Sequence, residues 1–273
     1  MDNNPPVETP FEFFARRLVA FVGTYVLADD VARPSRSSPA PRHHYVYSGV
    51  PVALFGNWYV VTAGHSILPY CKAIDEKSII ATGGSIVDSF GVLASKSKGF
   101  PFNLRDHCLY SIDEPDDGLD YALIKLSQNH VDLLSTNSVM AFRMGTESDE
   151  TREYSNYVAF GLPDEKSDLV SSDPGNLNYV NLQPWSVPIS RLDDDDCTNP
   201  RFVGRIKALS GIDSIVGISG GPIIAFSEDN EYYRLAAIQS RWHASTQTIF
   251  ATQVEASAKH FKESCEQFAD PEG

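Results

Sequence analysis

Cysteine is scarce in this sequence, and the few cysteines stand far apart. Its 273 residues include only four, Cys71, Cys108, Cys197 and Cys265. None belongs to a Cys-x-x-Cys pair, and none has a histidine at metal-binding spacing, so the pattern predicts no zinc site. We expect neither a metal nor another cofactor. The even number would still permit two disulfides.

Positive charge is also in deficit. The chain has 22 lysine and arginine residues against 36 aspartate and glutamate residues, which gives a formal net charge of -14. A surface of this sign repels a phosphate backbone, so we expect no nucleic-acid partner and a preference for basic ligands. The same charge is typical of an ordinary acidic, soluble surface.

A long hydrophobic run is missing as well. The uncharged part of the apolar stretch Phe11 to Ala28 is Leu18 to Ala28, which is shorter than the roughly 20 residues that a membrane-spanning helix needs. Met1 to Pro10 is acidic and contains prolines, unlike the positively charged start of a secretory signal. We expect no membrane partner and a helix or strand packed on the fold, with a membrane-surface segment as the alternative.

What the sequence does contain, from Tyr45 onward, is a series of short β-type segments. They are rich in valine and aromatic residues and are separated by turns with Gly, Pro, Asp and Asn. This pattern predicts an all-β sandwich or barrel. Asp29 to His44 is rich in proline and serine and indicates an exposed linker. Glu255 to Phe268 has apolar residues at helical spacing without Gly or Pro, which predicts a terminal helix.

A serine among glycines, in the segment Gly217 to Pro222, is the strongest chemical signal. Glycines allow strained dihedral angles and bring backbone N–H groups close to a reacting carbonyl. A serine hydroxyl is a weak nucleophile, so it needs a general base, and that base needs an orienting carboxylate. Two upstream segments, Val60 to His65 and Leu119 to Leu126, supply a histidine and an aspartate in the order His, Asp, Ser.

These three segments together resemble the trypsin-like serine proteases of chymotrypsin fold. The resemblance implies an all-β chain of two packed six-stranded Greek-key β-barrels with a C-terminal helix. Residues 1–44 would be an N-terminal extension and linker, and residues 45–273 the protease domain. Its barrels would cover about 45–140 and 141–254, and its helix 255–268. An α/β-hydrolase is not expected, because its Asp and His would have to follow the serine.

The resemblance also assigns catalytic roles. Ser219 would be the nucleophile, His65 the general base and Asp120 the carboxylate that orients it. The backbone N–H groups of Gly217 and Ser219 would form the oxyanion hole. These roles predict hydrolysis of a polypeptide substrate through an acyl-enzyme intermediate.

The expected substrate-binding residues are Asp213, Ser214, Ser240 and Trp242. Asp213 would lie at the base of the primary specificity pocket and pair with a substrate Arg or Lys, since a desolvated carboxylate favours a charged partner. Ser240 would form part of the pocket wall. Arg241, next to it, could neutralise Asp213 or crowd the pocket.

Several positions depart from the family pattern. Ile218 replaces the aspartate that, in members activated by cleavage, pairs with the new amino terminus, so the site would be preformed or set by an activating protein partner. Ser66 and Ile215 stand where secreted members usually carry cysteine. We therefore expect reduced thiols and a cytoplasmic location.

The leading hypothesis is a serine endopeptidase that cuts after Arg or Lys. One alternative is a latent protease effector that a partner switches on. Another is a non-catalytic binding module with a protease fold, although degenerate members typically lose one of His65, Asp120 and Ser219, and all three are present here.

Overall fold

The structure is mostly β, as predicted, and contains a closed barrel and a second main sheet. It is a computed structural model that describes residues 9–32, 40–88, 99–143, 153–170, 179–192 and 197–267. The strands of the first sheet are β1 (Val19–Leu27), β2 (His43–Leu54), β3 (Asn57–Thr62), β4 (Ile79–Val87), β5 (Gly99–Pro101), β6 (Cys108–Glu114), β7 (Leu119–Lys125) and β8 (Phe142–Arg143).

The first sheet has eight strands, in the order β5-β4-β1-β2-β3-β7-β6 with β8 beside β2. The long strand β2 connects its two parts. Residues 43–49 pair with β1, and residues 50–54 pair with β3. On its other side β3, the strand that leads to His65, pairs with β7, which carries Asp120.

A closed barrel forms the second half. The remaining strands are β9 (Tyr154–Gly161), β10 (Ser167–Val170), β11 (Tyr179–Leu182), β12 (Trp185–Arg191), β13 (Arg201–Ile206), β14 (Pro222–Ser227), β15 (Tyr233–His243) and β16 (Thr248–Gln253). The barrel order is β12-β13-β16-β15-β14-β9, and β10 and β11 form a separate hairpin. One of the two predicted barrels is therefore closed, and the arrangement of two barrels stays a prediction.

Six helices connect or flank the strands of the described residues. They are α1 (Pro10–Ala15), α2 (Ala28–Ala32), α3 (Gly64–Asp75), α4 (Leu104–His107), α5 (Gln128–Thr136) and α6 (Val254–Gln267). The predicted terminal helix is confirmed as α6, with bounds one residue earlier. In the part of the chain that the structure covers, every helix is too short or too polar to cross a bilayer.

Residues 19–27, which the sequence assigned to the N-terminal extension, form strand β1 inside the first sheet. This strand pairs with β2 on one side and β4 on the other. Its first six residues are all buried. A central strand that is covered on both faces typically has such a nearly continuous apolar run. The first sheet therefore includes a segment that lies before residue 45.

The N-terminal helix α1 closes the core near the barrel. Phe11 packs edge-on against Phe160, and Phe14 packs against Phe226. One large apolar cluster includes residues of α1, both sheets and α6. Burial of this shared cluster holds the two halves of the chain together.

Candidate active site

His65 stands at the start of α3, directly after strand β3. The preceding Gly64 brings this turn very close to two neighbouring strands, because a Cβ atom there would overlap the carbonyl of Ile112 and press on that of Tyr121. A glycine is therefore needed before the histidine for reasons of space. This close approach fixes His65 over strand β7, which carries Asp120.

Asp120 binds His65 at two points. Its Oδ2 lies 2.8 Å from His65 Nδ1, and its Oδ1 accepts a hydrogen bond of 2.9 Å from the His65 backbone N–H. The Asp120 residue is only 2% exposed. An ionised carboxylate only accepts hydrogen bonds, so the proton belongs on Nδ1 and Nε2 is left as the acceptor. This is the tautomer that a general base needs.

A positive charge lies beside the Asp120 carboxylate. Asp113 stands directly opposite Asp120 in the register of β6 and β7, and like charges in such positions repel. Arg241 makes an ion pair with Asp113, and its Nε lies 3.5 Å from Asp120 Oδ2. At that distance the second contact is a charge interaction rather than a hydrogen bond. The sequence left open whether Arg241 neutralises Asp213, and in the structure it pairs with these other carboxylates.

Asp120 is also fixed through its backbone. Its N–H donates to Thr252 Oγ1 at 3.0 Å, and the Thr252 hydroxyl lies 3.1 Å from its carbonyl oxygen. Thr252 belongs to β16 of the barrel. The first sheet and the barrel are therefore joined at the residue that orients the histidine.

Ser219 lies on a tight turn before β14. Its Oγ donates a 2.9 Å hydrogen bond to the Ser240 carbonyl, and among the described residues it makes no hydrogen bond with the His65 ring. Gly220, with φ of 86°, has no room for a side chain, because a Cβ would overlap Thr62 Oγ1 and the Ser48 carbonyl. The serine turn therefore packs against the end of β3, just before the turn that carries His65.

Two backbone N–H groups at the Ser219 turn are available as hydrogen-bond donors. The Val216 carbonyl accepts a 2.8 Å hydrogen bond from the Asp164 N–H, so the N–H of the same trans peptide, at Gly217, points the opposite way. Within the described part of the chain, neither the Gly217 nor the Ser219 N–H donates to another residue. Two free donors at a serine can bind the oxygen of a developing tetrahedral intermediate.

Asp213 and Ser214 occupy the loop before the serine turn. Both backbone N–H groups donate to Glu165 Oε2, at 2.9 and 3.1 Å. Asp213 itself is exposed, so its carboxylate lies on the surface of the loop and not in an enclosed cavity. None of the described basic residues forms an ion pair with it.

Ser240 and Trp242 lie on β15. The Ser240 hydroxyl donates to the Phe250 carbonyl at 3.0 Å. Trp242 pairs with Ile249 across β15 and β16 and packs on the core of the barrel. Its indole N–H has no hydrogen-bond partner among the described residues. The structure therefore brings Ser240 to Ser219, while Asp213 and Trp242 share no hydrogen bond in the described part of the chain.

The sequence reasoning missed Asp164, Glu165 and Asp113. The first two belong to a 3₁₀ turn at Asp164–Lys166, about fifty residues before the loop that they contact. No motif marks them, because their role depends on the fold bringing the end of β9 beside the serine turn. In the described residues, no cluster of three or more His, Cys, Asp or Glu side chains could hold a metal ion.

Comparisons with known proteins gave matches only among solved structures. No family model and no curated protein matches the chain. The chain is similar to the inactive form of a serine-to-alanine mutant of Rv3671c from M. tuberculosis, with 13% identity and a TM-score of 0.47, over 98% of this chain and 97% of that one.

Two further solved structures are similar over most of their length. A thermostable serine protease, AL20, from an extremophilic microorganism has 12% identity and a TM-score of 0.46, over 89% of this chain and 95% of that one. The protease Anisep from Arthrobacter nicotinovorans has 16% identity and a TM-score of 0.45, over 87% and 90%. At these values, any assignment of function rests on the geometry of this chain's own residues.

Proposed function

We propose that this chain is a serine endopeptidase that works through Ser219, His65 and Asp120. The observation that carries the proposal is the two-point hydrogen bonding of His65 by the buried Asp120, next to a serine turn with two free N–H groups. A buried histidine with a structural role has no need of a nucleophile and anion-binding donors beside it. The proposal extends to a chymotrypsin-like pairing of two barrels.

In the proposed reaction, Ser219 Oγ attacks the carbonyl carbon of a peptide bond and gives its proton to His65 Nε2. Asp120 stabilises the imidazolium that forms. The Gly217 and Ser219 N–H groups hydrogen-bond the negatively charged oxygen of the tetrahedral intermediate. His65 then gives the proton to the leaving amine, and water hydrolyses the acyl-enzyme by the same route.

A fluorogenic peptide assay tests this proposal. We expect hydrolysis by the wild-type chain and its loss in both Ser219→Ala and His65→Ala. The control is Ser155→Ala, a serine near the start of β9 that is exposed and outside the proposed site. Equal hydrolysis by the wild type and Ser219→Ala would rule out Ser219 as the nucleophile.

Preference for Arg or Lys before the cleaved bond is the finer part of the proposal. Its support is Asp213, a carboxylate on the loop before the nucleophile that no described basic residue neutralises. Because Asp213 is exposed, solvent screens it, and we expect kcat/KM for Arg over Leu substrates to differ by about tenfold. Asp213→Asn should remove most of that ratio, and an unchanged ratio would contradict this assignment.

A latent enzyme that needs an activating partner is a second candidate. The observation in its favour is that Ser219 Oγ donates to the Ser240 carbonyl and not to His65. Activation would then include a rotation of the serine side chain toward the base. Comparing peptide hydrolysis by the isolated chain with hydrolysis in its native cellular extract distinguishes the two, since equal rates would remove the need for a partner.

A further inference from the structure

The loop before the nucleophile is held from outside by the 3₁₀ turn that follows β9. We call residues 213–217 the oxyanion segment. Glu165 Oε2 accepts the backbone N–H of Asp213 at 2.9 Å and that of Ser214 at 3.1 Å. Hydrogen bonds to an ionised carboxylate are stronger than neutral ones, so a single side chain fixes the start of this segment.

The end of the same segment is held by the neighbouring residue. The Asp164 N–H donates to the Val216 carbonyl at 2.8 Å. Gly217 lies so close that a Cβ atom there would overlap the Asp164 carboxylate, and its φ of 95° favours glycine. Within the segment, the Val216 N–H donates to Ser214 Oγ at 3.1 Å. The two ends of the oxyanion segment are therefore attached to one short turn.

The orientation of the Val216–Gly217 peptide depends on these contacts. A glycine at this position tolerates several backbone conformations, so the chain itself does not stop the peptide from rotating. Rotation would turn the Gly217 N–H away from the substrate oxygen and bring the Val216 carbonyl toward it. Loss of one such donor typically lowers kcat by about 10²–10³.

The residue before the nucleophile has an apolar side chain, and its backbone N–H donates to the Ile215 carbonyl of the segment at 3.2 Å. Ile218 is 2% exposed and packs in the apolar core of the barrel. The oxyanion segment thus has an apolar anchor on its inner side and the carboxylate of Glu165 on its outer side.

We infer that Glu165 is a positioning residue that keeps the Gly217 N–H directed at the substrate oxygen without any cleavage of the amino terminus. This inference rests on the proposed function. Glu165 does not touch the reacting atoms, and it acts through the backbone of residues 213 and 214. It is part of the catalytic machinery only through the shape that it gives to the oxyanion segment.

Three variants test this inference. Glu165→Ala removes the acceptor, while Glu165→Gln keeps an amide oxygen that can accept both N–H groups. Glu255→Ala is the matched control, since Glu255 is a glutamate of α6 whose carboxylate pairs with Arg234 at 3.1 Å on the surface. We expect Glu165→Ala to lower kcat about 10- to 100-fold and to change KM less than threefold. The loss of kcat is smaller than that caused by removing a whole oxyanion donor, because the Asp164 N–H still holds the Val216 carbonyl. We expect Glu165→Gln to recover most of the kcat.

A transition-state analogue and hydrogen exchange separate positioning from a general loss of stability. A peptide boronic acid places an oxygen against the two N–H groups, so its affinity should fall with kcat in Glu165→Ala. Hydrogen–deuterium exchange in the oxyanion segment should become faster in this variant, and neither quantity should change in Glu255→Ala.

The outcomes are distinguishable. If the wild type hydrolyses peptides and Glu165→Ala matches it in kcat, boronic-acid affinity and exchange, the role of Glu165 is overturned while the proposed function stands. The role of Glu165 is also overturned, and the proposed function also stands, if Glu165→Ala loses activity only in proportion to its unfolded fraction. If the wild type neither hydrolyses peptides nor binds the boronic acid, the proposed function fails and the catalytic role of Glu165 fails with it.

Discussion

The two sides of the candidate site are built by different kinds of interaction. On the base side, the His65 ring is oriented by the Asp120 side chain, with Arg241 and Asp113 beside it, and Gly64 packs where no side chain fits. On the nucleophile side, the turn that carries Ser219 is held through its backbone, by hydrogen bonds to other backbone groups and to the Glu165 carboxylate, and by glycines packed where no side chain fits.

This difference determines which kind of substitution should damage each side. A change of charge with little change of shape should damage the base side, since its geometry depends on ionised groups. A single added methyl group should damage the nucleophile side, since the neighbouring backbone atoms are already in contact.

The largest effect is expected from Asp120→Asn, which keeps the shape and removes the charge. The amide no longer enforces the proton on His65 Nδ1, so the base is held in the wrong tautomer and kcat should fall about 10⁴-fold. Steady-state kinetics on a fluorogenic peptide measure this. Asp132→Asn on α5 is the control for loss of an acidic side chain elsewhere. A fall of less than tenfold would show that Asp120 does not orient the base.

The next effect concerns an added methyl group on the nucleophile side. Gly217→Ala must overlap the Asp164 carboxylate at a φ of 95°, which should displace one oxyanion donor and lower kcat about 10²–10³-fold. Gly56→Ala is a matched control, because Gly56 also has a positive φ, of 80°, but open space around it. If Gly217→Ala and Gly56→Ala lost the same activity, the strain of a positive φ would explain the result. The close contact between Gly217 and Asp164 would then not be its cause.

A smaller effect is expected from Arg241→Met, which removes the cation between two carboxylates. Asp113 and Asp120 then face each other without compensation, which should cost about 1–3 kcal/mol of unfolding free energy and lower kcat severalfold. Adding Asp113→Asn should recover part of the loss, as measured by urea unfolding and kinetics in a double-mutant cycle. Purely additive effects would mean that Arg241 and Asp113 do not interact in solution.

The smallest effect is a pH dependence at Asp164. Burial raises the pKa of this carboxyl above its ordinary value. The native state therefore binds the proton more tightly than the unfolded state, and the contribution of Asp164 to stability falls as pH rises through the raised pKa. Asp164→Asn, which keeps the backbone N–H, should be more stable by about 0.5 kcal/mol or less at pH 7, since much of the side chain meets solvent. Urea unfolding should show that the extra stability of Asp164→Asn over the wild type disappears in acid. Extra stability that grew in acid would contradict this prediction.

The sequence predicted those features that local patterns carry. The β-rich pattern and the terminal helix followed from periodicity, and the segments around His65, Asp120 and Ser219 followed from short motifs. For the segment that forms strand β1, the sequence predicted only a helix or strand packed on the fold, because a buried central strand has no alternation to separate it from a helix. Glu165 was missed because its partners are backbone N–H groups of Asp213 and Ser214, which leave no trace in residue identity.

The direction of the Asp213 side chain could not be predicted from the sequence either. Its distance along the chain from Ser219 suggested a pocket, but the loop turns its backbone toward Glu165 and leaves the side chain exposed. Spacing along the chain fixes which residues share a loop. The direction of each side chain depends on contacts from distant segments.

The central claim is that Ser219 is an activated nucleophile, and covalent labelling tests it most directly. The purified chain is treated with a fluorophosphonate, and the adduct is counted by intact mass and located by peptide mapping, with Ser219→Ala as the control. The account predicts a label that approaches one per chain on Ser219 and disappears in Ser219→Ala. A wild-type chain that stays unlabelled at neutral pH, or a label that persists in Ser219→Ala, would contradict it.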